Sequence, residues 1–254
     1  MNWLSKEIVL YKGQGQYSAV KVTRKGNRVN LYTGDNFLQS PLNLRKVPVG
    51  AVYDWYLVAP WFAGNFTGQI NSLLILGLGA GVQVKLYNKT YQVKDIVGVE
   101  IDPLIADLGK KYFGLDDHNL QIIIDDASHY IKNVTARFDV IILDAYKGNK
   151  YDVTSGSREM LRDIVHKLTS RGVLVINRVF GDATNASLEK DLTSLFTTVF
   201  NFKVHKNVFY IGTNSKEAPK TVEDVKNILK SAVKINKELS FFKTFKLSNL
   251  RILT

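Results

Sequence analysis

Three alternate glycines, Gly77, Gly79 and Gly81, close the apolar run Ser72-Leu-Leu-Ile-Leu, and about twenty residues further on a second apolar run, Ile96-Val-Gly-Val, ends on the carboxylate of Glu100. Glycines at a strand end permit a tight turn and let a ligand approach the backbone, and a carboxylate at the tip of the next strand can accept both hydroxyls of a ribose. The spacing is G-x-G-x-G and not the G-x-G-x-x-G of dinucleotide sites, which moves the expected ligand toward S-adenosylmethionine and its relatives. Two more apolar runs end in carboxylates, at Asp125-Asp126-Ala127-Ser128 and at Leu143-Asp144-Ala145-Tyr146. Each aspartate taken alone can cap the following helix. Four polar strand tips reaching for one ligand are harder to obtain by accident.

The elements that position these tips follow from hydrophobic pattern. Strands are predicted at 72–77, 95–100, 119–124, 138–143, 173–177, 199–204 and 207–213, and the first five are near-continuous apolar runs, as parallel strands covered on both faces require. A helix starts at Asp102-Pro103 and buries Leu104, Ile105, Leu108 and Tyr112. A second begins near Ser157, buries Met160, Leu161, Ile164, Val165 and Leu168, and stops before Gly172; a third carries Leu188, Leu192 and Leu195. The last two strands are joined at Lys206-Asn207 as a hairpin. This pattern predicts an α/β, doubly wound Rossmann-like sheet of seven strands, with ligands at the carboxyl ends of the strands.

Ahead of it, Glu7–Tyr11, Tyr17–Thr23 and Arg28–Tyr32 read as short β-strands, residues 33–41 as a turn and an irregular loop, and the stretch from Pro48 to about Pro60 as a helix through Val52, Trp55, Tyr56 and Val58. The expected division is a small β domain with a linking helix at 1–66 and a nucleoside-binding catalytic domain at 67–254.

Composition limits the chemistry. The chain of 254 residues has 45% hydrophobic residues, enough for a large core. It has no cysteine, so it can form neither disulfides nor thiolate metal sites, and a cytoplasmic location is expected. No apolar run approaches the about 18 residues of a membrane span. The four histidines, at 118, 129, 166 and 205, have no metal-ligand spacing, so no metal is expected. Ser128-His129 lacks a G-x-S-x-G elbow, which argues against a hydrolase. The net charge of +11 raises the question of a nucleic-acid partner. Lys226, Lys230, Lys234 and Lys237 repeat at helical spacing, predicted opposite Val222, Val225, Ile228, Leu229 and Val233; a solvated helix face is the favoured reading and a nucleic-acid footprint the less favoured.

Taken together, Gly77-Leu-Gly79-Ala-Gly81, Val99-Glu100-Ile101-Asp102, Asp126-Ala127, Ile142-Leu143-Asp144-Ala145-Tyr146 and Gly172-Val-Leu-Val resemble the spermidine synthase branch of the class I methyltransferase fold. Tyr32-Thr-Gly34-Asp35-Asn-Phe-Leu-Gln39-Ser40 is similar to the loop of that family's amino-terminal domain, and Tyr53 stands where the family carries the Tyr of a helix motif. The resemblance implies transfer of an aminopropyl group from decarboxylated S-adenosylmethionine to a polyamine amine. It implies that Gly77, Gly79, Gly81, Glu100 and Asp126 hold the nucleoside, that Gln39 and Tyr53 line the channel for the small-molecule amine, and that Asp144 is the catalytic carboxylate; Tyr146 and Asp54 are further candidates for the amine side. A homodimer or larger homo-oligomer is the implied assembly.

The departures from the family pattern are Ala80 between the glycines, Lys147 three residues after Asp144, and Asp54 after the motif Tyr. A Lys147 facing the pocket would repel a diamine by about 1 kcal/mol or more at moderate effective dielectric. Asp54 is either a replacement anionic contact or a surface residue of its helix. Methyl transfer from S-adenosylmethionine to a small molecule or RNA, and non-catalytic nucleoside binding, are the alternative expectations.

Overall fold

Long runs of Val, Ile and Leu bury both faces of a strand, and in the computed structural model they do so at the centre of an eight-stranded sheet. The structure describes residues 6–48, 50–64, 66–147, 150–151 and 156–253, the side chains at 146–147 and 150–151 excepted. Four strands, β1 (Ile8–Gln14), β2 (Ala19–Lys25), β3 (Arg28–Thr33) and β4 (Phe37–Asn43), form an antiparallel amino-terminal sheet in that order. After a 3-10 segment (Val52–Ala63) come β5 (Gln69–Leu76), α1 (Val82–Thr90), β6 (Gln92–Glu100), α2 (Pro103–Phe113), β7 (Leu120–Ile124), α3 (Ala127–Asn133) and β8 (Phe138–Leu143). The two-residue ladder of β9 (Tyr146–Lys147) and β10 (Lys150–Tyr151) follows, then α4 (Arg158–Lys167), β11 (Leu168–Val179), α5 (Asn185–Leu195), β12 (Thr198–Val204), β13 (Asn207–Thr213), α6 (Val222–Ile235) and β14 (Leu250–Leu253).

The main sheet runs β14-β12-β13-β11-β8-β5-β6-β7. Strands β11, β8, β5, β6 and β7 are parallel, and β13, β12 and β14 continue antiparallel. The expected doubly wound class holds, and β14, four residues long, extends the sheet by one strand beyond the seven read from the sequence. Apolar cores cover both faces of the sheet: Leu73 and Ile75 point to one face of β5, Leu74 and Leu76 to the other, and all four are buried.

Local chemistry explains most boundaries. The Asp102 side chain accepts from the Leu104 N–H at 3.0 Å with Pro103 at the first helical position, and Ser157 caps α4 through the Met160 N–H. Helix α4 ends at Lys167, so the buried Leu168 begins β11 and does not belong to the helix as expected. Residues 37–43 are also not an irregular loop. After a turn at 34–36 they pair with β3, burying Ser40 and Leu42 on alternate positions, and Pro41 is accommodated because β4 is an edge strand.

The stretch after Pro48 forms 3-10 structure through Pro60 to Ala63 where an ordinary helix ending near Pro60 is predicted. Every residue from Asp54 to Ala63 is buried, so the segment has no solvent face to define a helical period. Its carbonyls are held from outside. Tyr87 donates its hydroxyl to the Tyr56 carbonyl at 2.8 Å, Tyr91 donates to the Leu57 carbonyl, and the Trp61 indole N–H donates to the Tyr91 hydroxyl at 2.9 Å. Trp55 packs edge-on against Phe241, at 5.3 Å between centroids, and tilted against Phe245, at 5.4 Å, so the carboxyl-terminal segment closes over the same element.

Trp55 is therefore a joint between three parts of the chain. Trp55→Ala is expected to lower unfolding free energy by about 3–5 kcal/mol, the usual penalty for emptying a large aromatic site, as read from guanidinium denaturation at constant slope.

Candidate active site

Turning the chain sharply at the end of β5 requires left-handed backbone, and Gly77, Gly79 and Gly81 supply it with φ of +93°, +56° and +82°. Space matters as much as torsion. A Cβ at Gly77 would stand 2.4 Å from the Asp144 carbonyl oxygen, and one at Gly81 would stand 2.2 Å from a Leu115 methyl. The turn is thus pressed against the tip of β8 on one side and against the residues after α2 on the other.

Its amides are individually satisfied. The Gly79 N–H donates to Glu100 Oε2 at 2.8 Å and the Asp102 N–H to Oε1 at 3.1 Å, while the Ala80 N–H donates to Ser40 Oγ of the amino-terminal sheet at 3.2 Å. Glu100 is buried, and that burial pushes its carboxyl above the ordinary range while the amides of Asp102, Gly79 and Ile101 pull it back. Each of its two oxygens accepts a backbone donor.

A cavity of about 320 Å³ opens beside the turn. Gly77, Gly79 and Asp144 line it from the main sheet, Gln39 from β4 and Tyr53 from the 3-10 segment, bringing together residues more than a hundred positions apart. Asp144 keeps part of its surface open to this space while protein surrounds the rest, and loss of hydration raises its carboxyl to about 6; a hydrogen bond from the Tyr56 hydroxyl acts the other way. Burial and the nearby Asp144 charge together push the Tyr53 phenol far above its normal range, so it stays protonated. Its hydroxyl donates to the Leu38 carbonyl at 3.4 Å. The Gln39 Oε1 is buried with no hydrogen-bond partner, an acceptor left for a ligand donor.

Other sequence-derived candidates sit elsewhere. Gly81, Glu100, Asp126 and Asp54 do not line this cavity. Asp126 caps α3, its Oδ1 accepting from the Ser128 N–H at 2.8 Å and from the Ser128 hydroxyl at 2.5 Å. Asp54 is neither an exposed residue nor a cavity wall: it is buried and accepts from the Ala51 N–H at 2.8 Å, capping the 3-10 segment. The side chains of Tyr146 and Lys147 lie outside the described residues. Among the described residues no cluster of three metal-ligating side chains occurs, and no helix is long and apolar enough to cross a membrane.

Asn177 and Gln83 line the cavity without being among the candidates read from the sequence, and Tyr56, which is not part of the lining, acts on Asp144. Tyr56 lies three residues after Tyr53, so three-residue 3-10 turns set both tyrosines on one face, toward Asp144. Asn177 is buried near the end of β11, where its Oδ1 accepts from Asn207 Nδ2 at 2.9 Å. It is a polar residue closing an apolar run, the same signal that marked the other tips. Gln83, in the first turn of α1, carried no signal.

A mostly parallel α/β sheet with a glycine turn, a carboxylate at the next strand tip and a cavity at the carboxyl ends of its strands defines a Rossmann-like fold of the methyltransferase type. The family model for the spermine/spermidine synthase domain matches residues 61–222, and the chain belongs to that family. It is 30% identical over 191 residues to a probable polyamine aminopropyl transferase of Bifidobacterium longum, covering 75% of this chain and 42% of that protein. It is 27% identical over 205 residues to a polyamine aminopropyltransferase of Vibrio vulnificus, covering 79% and 65%. The matches therefore span less than two thirds of either relative. A spermidine synthase crystallised with the transition-state analogue AdoDATO superposes with a TM-score of 0.68 at 18% identity, covering 91% of this chain and 88% of that one, a likeness of fold.

Gly77 and Gly68 share φ of +93°, but a Cβ at Gly68 would meet nothing within 4 Å. Gly68→Ala should lose only the backbone-strain term of about 1–2 kcal/mol, and Gly77→Ala at least about 2 kcal/mol more, because the Asp144 carbonyl must move. Paired urea denaturation curves measure that difference.

Proposed function

We propose that this protein transfers an aminopropyl group from decarboxylated S-adenosylmethionine to an amine of a polyamine, releasing methylthioadenosine, with Asp144 as the carboxylate that orients the amine and takes its proton. Membership of the spermine/spermidine synthase family supports the reaction class. The observation that carries the residue assignment is a half-buried carboxylate, raised to about 6, lining a cavity with the glycine turn, Gln39 and Tyr53. An amine is protonated near neutral pH and cannot attack carbon until a proton leaves, so an ionised acceptor within reach is required. The sulfonium departs as a neutral thioether, which leaves alignment of amine, carbon and sulfur as the main task of the protein. The unpartnered Gln39 oxygen suits an ammonium or amine N–H. Gly77, Gly79, Gly81, Glu100 and Asp126 belong in this reading to the nucleoside side, Tyr146 to the amine side, and a cytoplasmic homodimer is the proposed setting.

Calorimetry with the two nucleosides tests the donor: decarboxylated S-adenosylmethionine should bind more tightly than the intact amino acid, and the reverse order would remove aminopropyl transfer. Asp144 has its own test. In wild type, kcat/KM should rise with pH through about 6 as the carboxylate ionises. Asp144→Asn should lose about 10²–10⁴ in rate together with that limb, with methylthioadenosine affinity nearly unchanged.

The same shift has a sign for stability. A carboxyl raised from 3.8 to about 6 on folding binds its proton more tightly in the native state. Its contribution to stability is therefore present at low pH and is lost as pH rises from about 4 to about 6. Asp144→Asn removes that penalty and should raise stability at pH 8 by about 1–3 kcal/mol, seen as a higher melting temperature. A variant both inactive and less stable than wild type would contradict the assignment.

A further inference from the structure

The carboxyl-terminal lysines do not lie opposite the apolar face of their helix. Lys226, Lys230, Lys234 and Lys237 line the same groove as Leu229 and Val233, and Lys243 joins them from the 3-10 segment at Lys237–Thr244. The groove has a volume of about 880 Å³, larger than the cavity beside Asp144, and shares no residue with it. Its floor is apolar: Leu229 and Phe242 are buried, while Val233, Phe245 and Leu247 remain half-exposed. Lys226 pairs with Glu223 at 2.8 Å, Glu238 pairs with Lys89 at 3.6 Å, and Asp224 accepts from the Lys220 and Thr221 N–H groups at the start of α6. No ion pair is recorded for Lys230, Lys234, Lys237 or Lys243 among the described residues.

We propose that this groove binds a single-stranded segment of nucleic acid, with the lysine row on the phosphates and the half-exposed floor against the bases. Along α6 the lysines recur every four residues, about 6 Å of helix rise apart, an evenly spaced line of charge suited to a regularly charged chain and unnecessary for one small anion. A cationic groove with an apolar and aromatic floor is how strands are bound without sequence readout. The whole chain adds a favourable field, at net charge +11 and a sequence pI near 9.6. A membrane surface would need the apolar residues to project beyond the ammonium groups, but here they lie beneath them.

Fluorescence anisotropy of the full chain with labelled single-stranded oligouridylate and oligothymidylate tests this. With about four phosphate contacts, affinity should fall on the order of 30–100-fold between 50 and 200 mM salt. The triple variant Lys230→Glu, Lys234→Glu, Lys237→Glu should abolish binding. A triple Gln variant, which adds no negative charge, should flatten the logarithmic salt slope by about 2. Methylthioadenosine affinity serves as the check that both variants remain folded, since none of these lysines lines the Asp144 cavity. Affinity that ignores salt, a triple Gln variant that binds as wild type does, or displacement of the oligonucleotide by polyglutamate at equal charge concentration would overturn the proposal, the last by assigning the groove to an acidic protein segment.

Discussion

A buried carboxylate that forms no ion pair among the described residues is the constraint on which the site rests. Glu100 leaves water at the tip of β6 and is compensated by main-chain donors, chiefly the N–H groups of Gly79 and Asp102. An uncompensated buried charge is expensive, so the acid and the glycine turn each require the other in place. The turn in turn sets the position of Ala80, whose N–H reaches Ser40 in the small sheet. One acid thereby fixes the geometry at which two sheets meet, and the cavity forms at that meeting.

The 3-10 segment performs a related task for the second half of the site. It is buried along nearly its whole length, its carbonyls are held by Tyr87 of α1 and by Tyr91, the residue that ends that helix, and its own tyrosines stand around Asp144. Two phenols act on the carboxylate differently: Tyr56 donates a hydrogen bond to it, and Tyr53 closes the cavity beside it. Desolvation prevails over that donated bond, which leaves the acid poised near neutrality and not in the ordinary carboxylate range.

How much of this could be read from residues alone depended on periodicity and on element length. The parallel strands were legible because each is an apolar run of strand length ending in a polar or glycine residue, and Gly77, Glu100 and Asp144 were found at those ends for the same reason. The residues from Val52 to Ala63 gave no such guide: a segment buried all round has neither a period of two nor one of 3.6 to betray its winding. Strand β4 was hidden by Pro41, which argues against a strand unless the strand is known to lie at an edge. Strand β14 is too short to be recognised without its partner β12. Asp126 and Asp54 show the ambiguity of acids near element starts, since capping and ligand contact demand the same side chain.

Three residues per turn has one more implication for the segment that carries Tyr53 and Tyr56. Each added or deleted residue rotates everything beyond it by about 120°, so only changes in multiples of three return both phenols to the same side. Between the two tyrosines the spacing is quantised. Homologous chains that preserve this geometry should therefore differ in this stretch by substitution and hardly ever by single-residue gaps.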